Sequence, residues 1–198
     1  MSNKYPQASP CGGVIFYRWD NSQLTIYISE RRNADGSASG QHSFYGGFAE
    51  CGNYLKNPVG TVQDKRIEIY RECVEEMGSG FAEIVSQSDF INRCEPVASL
   101  MVRTDDSNKI HDATFVAYFV EEPLAHYLEK QTKPTDEQLP AKPYKFGFST
   151  SYRKKPLLEP YDGHELLQHL HVPKNIQFFH QHEANAMALF FYNKGLRA

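Results

Sequence analysis

The octamer RECVEEMG, Arg71 to Gly78, sets three carboxylates within five positions directly after an arginine. On an α-helix turning by about 100° per residue, Glu68 and Glu72 share one face, and Glu75 and Glu76 carry that face into the next turn. Charge of one sign at this density either raises carboxyl pKa values or recruits a cation, and clustered hard oxygen donors suit Mg²⁺ or Mn²⁺. Arg71 stands four residues before Glu75 and can offset it. A solvated helix face is the ordinary reading of such a run. The spacing favours a divalent-metal site.

Such a helix needs an apolar stripe to seat it and a backbone that can come close to it. Ile67, Tyr70, Val74 and Met77 recur at spacings of three and four, Asp64 is a candidate N-cap, and Gly78 is a candidate C-cap. Upstream, SFYGGFAECG (Ser43 to Gly52) reads as a short strand carrying paired glycines, Gly46 and Gly47, where the backbone can approach another group closely. GGVIFYRW and LTIYISE, joined by Asp20, Asn21 and Ser22, read as a hairpin. EPVASLMVR and HDATFVAYFV, around the turn Asp105 to Lys109, read as a second one. Arg31 to Ser43, Asn53 to Val62 and most of Lys130 to Pro160 read as loop, with a short strand expected at Tyr144 to Thr150. A last helix is expected over Lys174 to Asn193. The length predicts one domain over residues 1–198, and the order β-β-β-α-β-β-α a mixed α/β sandwich.

Composition narrows the partners. Lys+Arg 21 against Asp+Glu 24 gives a net charge of −3, so no global basic field draws in nucleic acid. Nor does an apolar run approach the roughly 20 residues that span a bilayer. Four scattered cysteines without a Cys-x-x-Cys pair, and no apolar signal region, lead us to expect a reduced, cytoplasmic protein.

The glutamate helix and the glycine pair before it resemble the Nudix hydrolases. Their signature runs Gly, five residues, Glu, seven residues, Arg-Glu, a bulky apolar residue, any residue, Glu-Glu, any residue, Gly. Arg71, Glu72, Glu75, Glu76 and Gly78 match its second half, with Cys73 at the apolar position and Gly47 as the opening glycine. The first glutamate is missing. Asn53 holds its place counted from Gly47 and Gln63 counted from Arg71, because Asn53 to Val62 expands the interval. Tyr45 stands where proline commonly precedes the glycines, and Ser79 where an apolar residue closes the signature.

The resemblance implies an α/β/α sandwich with a mixed β-sheet and a Mg²⁺- or Mn²⁺-dependent hydrolase that cleaves a diphosphate linkage in a nucleoside diphosphate derivative, ADP-ribose-like or related. Glu72 and Glu76 are then the main metal ligands, Glu75 a further ligand or the residue that orients the attacking water, and Arg71 their support. A further acid is expected from outside the signature: Glu137 first, with Asp136, Glu121 and Glu122 behind it. Gly46, Gly47 and Phe48 would face the substrate, and a homodimer is a common assembly in the family. Arg31 and Arg32, at the end of the second strand, could take a phosphate bidentately. The alternative is a Nudix-fold nucleotide-binding or regulatory module in which the lost glutamate marks weak or absent chemistry.

Among the remaining features, Tyr5, Tyr17, Phe44 and Tyr118 read as core aromatics. HELLQH spaces its histidines at i, i+5 and not the i, i+4 of a zinc helix. His180 and His182, as alternate residues, are expected to face apart and to be surface or half-buried groups.

Overall fold

The computed structural model describes residues 9–20, 23–48, 62–103, 110–130, 139–147 and 176–194. The sheet begins with β1 (Ser9–Asp20) and β2 (Gln23–Arg32), antiparallel with Phe16 opposite Tyr27. Along β1, Val14 and Phe16 point to one face and Ile15 and Tyr17 to the other, and all four are buried. A strand covered on both faces needs this unbroken apolar run.

Next come β3 (Ala38–Ser43) and β4 (Tyr45–Phe48). They are followed by β5 (Glu95–Arg103), β6 (Ile110–Phe119) and β7 (Lys142–Gly147). The main order is β3-β2-β1-β6-β5, with β4 on β1 and β7 on β2. β1 and β6 run parallel while the other pairs run antiparallel, so the sheet is mixed as expected.

Helices cover both faces. On one lie α1 (Val62–Met77), α2 (Ser79–Ile84), α3 (Gln87–Arg93) and α4 (Glu122–Lys130). Ile69, Tyr70, Cys73, Met77, Phe81, Phe90 and Leu124 close a core there with Phe16, Tyr45 and Tyr118. On the other face α5 (Gln181–Asn193) buries Ala186, Met187 and Phe190 against Ile15, Ile26 and Phe115. The architecture is the expected α/β/α sandwich.

Several local expectations change. Ala38–Ser43 is a strand and not loop: β2 is its one partner among the described strands, His42 alone is bridged on the other side, to Phe178, and a strand so near the edge can be as polar as ASGQHS. α1 is seated by Ile69, Tyr70, Cys73 and Met77, with Ile67 and Val74 only partly buried, and Asp64 falls in its first turn instead of capping it. Gly78 ends the helix as expected, at φ 88°, with its N–H on the Val74 carbonyl at 2.8 Å. The last helix starts at Gln181, because the preceding backbone is committed to β3: His42 N–H donates to Gln177 at 2.7 Å, and Phe179 N–H donates to His42 at 2.8 Å. The strand expected at Tyr144 to Thr150 is β7, which begins earlier, at Lys142; residues 148–150 lie outside the described residues.

Candidate active site on the glutamate helix

α1 lies on β4, and the glycine pair is what lets it do so. Gly46 adopts φ 145°, and its N–H donates to Glu76 Oε2 at 2.8 Å. A Cβ on Gly47 would overlap the Glu72 carboxylate, meeting Cδ at 2.7 Å. Gly12, opposite Gly47 on β1, is equally tight: a Cβ there would stand 2.7 Å from the Thr114 carbonyl oxygen and 2.8 Å from Ile69. The group that paired glycine was expected to admit is therefore the Glu72 and Glu76 side chains.

Arg71 gathers the charge. Its guanidinium bonds Glu68 at 3.0 Å and Glu75 at 2.5 Å, and it also reaches Glu72. The i, i+4 partner foreseen from spacing is one of three. The crowd of carboxylates in turn holds Arg71 firmly in its charged form. Burial pushes the Glu72 carboxyl above the usual carboxylate range, with Arg71 pulling it back and Glu75 pushing further. Glu75 is the exposed member, and Glu76 is half-buried above Tyr45, whose hydroxyl is raised by its own burial and by Glu76.

Among the described residues no three acidic, histidine or cysteine side chains converge as a finished metal cage. The donor set nevertheless fits a hard divalent ion: carboxylates of Glu72, Glu75 and Glu76 crowd one helix face, and a backbone without side chains lies beneath them.

The other candidates scatter. Arg31 lies on the α5 side of the sheet, its guanidinium 4.3 Å from the Phe179 ring centroid, while Arg32 Nε donates to the Gly36 carbonyl at 3.1 Å. Glu121 and Glu122 pair with Arg93 at 2.7 Å and Arg18 at 2.6 Å. They follow β6 at the end where Phe119 is opposite Tyr17, whereas Thr114 is opposite Gly12 beside the glycine strand. Five strand residues, about 16 Å, separate those two levels. At that far level Glu121 and Glu122 are engaged in their ion pairs with Arg93 and Arg18. Glu137, Asp136, Asn53 and the Phe48 side chain lie outside the described residues, as do HELLQH and Tyr5. Tyr17, Phe44 and Tyr118 are buried as expected.

Two acids escaped the sequence reading. Asp112, at the start of β6, accepts from Lys65 of α1 at 2.6 Å and so faces the first turns of the glutamate helix. Glu183 of α5 is buried at the corner between β3 and β4 and accepts the Phe44 N–H at 2.8 Å. Strand periodicity puts Asp112 and Thr114 on one face, a usable signal for the first. Glu183 reads from sequence as an ordinary polar residue of a terminal helix.

His180 and His182 also differ from expectation. His180 precedes α5 in extended conformation, so the two rings do not diverge as helix neighbours do; they stack 4.8 Å apart. Burial, reinforced by His180 and His111, pushes the His182 imidazole down to about 4 from its ordinary 6.5. The unfolded chain thus binds more protons than the folded one across that window, and stability contributed by His182 rises with pH. Glu183 opposes this. Its carboxyl is pushed up by burial to about 7 from 4.5, so its contribution is lost as pH rises through that range. We predict that the urea midpoint of His182→Asn falls more steeply than wild type between pH 4.5 and 6.5; a steeper rise would contradict the assignment.

Neither a family model nor a curated protein matches the sequence. Among solved structures the chain is similar to a MutT/nudix family protein from Enterococcus faecalis, at 17% identity and TM-score 0.46, over 73% of this chain and 46% of that one. This chain therefore spans less than half the length of the Enterococcus protein. It is similar also to a NUDIX hydrolase from Alicyclobacillus acidocaldarius, at 11% identity and TM-score 0.47, over 70% of this chain and 79% of that one. A third similarity is to an ADP compounds hydrolase, at 15% identity and TM-score 0.41, over 94% and 75% of the two chains. The chain is an α/β/α sandwich around a mixed sheet, and its residues Arg71, Glu72, Glu75, Glu76 and Gly78 match the second half of the Nudix signature.

Proposed function

We propose that this protein is a Mg²⁺- or Mn²⁺-dependent hydrolase that cleaves a diphosphate linkage in a nucleoside diphosphate derivative, with ADP-ribose-like compounds as the first class to try. The observation that carries this reading is the seating of Glu72 and Glu76 on the Gly46–Gly47 backbone.

Glu72, Glu75 and Glu76 would hold the ion. When bound, it supplies neutralisation of the diphosphate oxygens and acidification of a water molecule. The chain's own residues do the remaining work. Arg71 fixes the fan of carboxylates and offsets their repulsion before an ion arrives. Glu75, exposed at the rim, orients the attacking water, and Glu137 is our choice for the group that takes its proton. Gly46, Gly47 and Phe48 border the substrate, and Arg32 stays a candidate for a distal phosphate, whereas Arg31 lies on the sheet face opposite the glutamate helix.

A second reading rests on Asn53 and Gln63 standing where the signature has glutamate: the fold would bind a nucleotide without turning it over. Titration of free Mn²⁺ by electron paramagnetic resonance tests the metal assignment. Wild type should deplete the signal and Glu72→Gln should not; equal depletion by both proteins would remove Glu72 from the site.

A further inference from the structure

α5 reaches the glycine strand through one buried carboxylate. Glu183 is 4% exposed, and Oε1 accepts both the Ser43 hydroxyl and the Phe44 N–H at 2.8 Å, while Oε2 accepts the His180 N–H at 3.2 Å. Ser43 ends β3, and Phe44 is the corner residue before β4. Two residues on, Gly46 donates to Glu76, and Gly47 lies under Glu72. A short chain of contacts thus crosses the sheet from Glu183 through Phe44 and Gly46 to Glu76.

We propose that Glu183 is a positioning residue for the glutamate helix: from the opposite face of the sheet it fixes the corner that sets the Gly46–Gly47 strand beneath Glu72 and Glu76. The inference rests on the reading of Glu72 and Glu76 as ion ligands. A carboxyl buried only to close a corner is an expensive choice, since its burial already pushes it up to about 7 and an amide or hydroxyl acceptor there would avoid that penalty. Three donors converging on one carboxylate define a direction more sharply than apolar packing does. Partners behind metal ligands typically change affinity by 10- to 100-fold when lost.

The test is Mn²⁺ affinity, read from the free-ion signal, beside the thermal midpoint of each variant. Glu183→Gln keeps one oxygen and turns an amide toward the His180 N–H; it should weaken Mn²⁺ binding by about tenfold. Ser43→Ala, which removes a single hydrogen bond, should weaken it in the same direction by less. Met187→Ala opens the core beneath the same helix and should lower the midpoint without changing Mn²⁺ affinity beyond about twofold.

Wild-type affinity in Glu183→Gln, with binding lost in Glu76→Gln, overturns the inference and leaves the ion-ligand reading standing. Equal weakening by Met187→Ala also overturns it, by showing that any loosening of α5 suffices. Absence of Mn²⁺ binding in wild type overturns both. If Glu183→Gln does not fold, Ser43→Ala carries the test, and an unchanged affinity there decides against the proposal.

Discussion

Replacing Glu76 by Gln lowers divalent-metal-dependent turnover by about a thousand-fold or more, while the thermal midpoint stays near that of wild type. The two parts of this prediction come from the same contact. Glu76 Oε2 accepts the Gly46 N–H at 2.8 Å, and the amide oxygen of Gln can accept it too, so the helix keeps its anchor on β4. Only the negative charge disappears, and an ion facing diphosphate oxygens needs that charge from its protein ligands. The comparison of kcat/KM with the midpoint separates this outcome from simple unfolding. A fully active Glu76→Gln would remove Glu76 from the metal site.

Gly46→Ala should destabilise the protein by about 3 kcal/mol or more, enough to threaten folding. At φ 145° the new Cβ would overlap the Gly12 carbonyl oxygen and stand 2.6 Å from the Gly13 Cα, so every near neighbour is paired-strand backbone. Strands in register cannot step aside for one methyl group. Gly47→Ala meets instead the flexible end of Glu72, and its cost should appear mainly as lost metal affinity. Gly40→Ala is the control: its φ is also positive, at 77°, but no atom lies within 4 Å of the new methyl, and its cost should be about 1 kcal/mol. Urea unfolding of the three variants gives the order. Equal midpoints for Gly46→Ala and Gly40→Ala would show that β4 is not held against β1 in this way.

The parts of the site legible in the sequence are those governed by local spacing. The carboxylate face of α1, the Arg71 to Glu75 pair, the Gly78 cap and the close approach at Gly46 and Gly47 all follow from residues a few positions apart. The two hairpins were legible for the same reason, since each joins two β-branched and aromatic runs across a short polar stretch of sequence. Features set by distant contacts were not. β3 is too polar to announce itself because its partners, β2 and the segment around Phe178, are set by distant contacts, and α4 was not foreseen although Leu124 and Leu128 bury there. Glu183 meets Ser43 across 140 positions, and nothing near it in sequence marks the corner it serves. The stacking of His180 on His182 depends on a helix starting at Gln181, which the backbone of His42 decides.

The most direct measurement is release of phosphate-containing products from ADP-ribose, NADH, dinucleoside polyphosphates, coenzyme A, nucleotide sugars and nucleoside triphosphates. Each would be incubated with Mg²⁺, with Mn²⁺ or with EDTA. Cleavage of at least one nucleoside diphosphate derivative, supported by either ion and abolished by EDTA, is the predicted result. Silence across all of them, together with thermal stabilisation by a nucleotide, would contradict the hydrolase and leave the glutamate helix as part of a binding face.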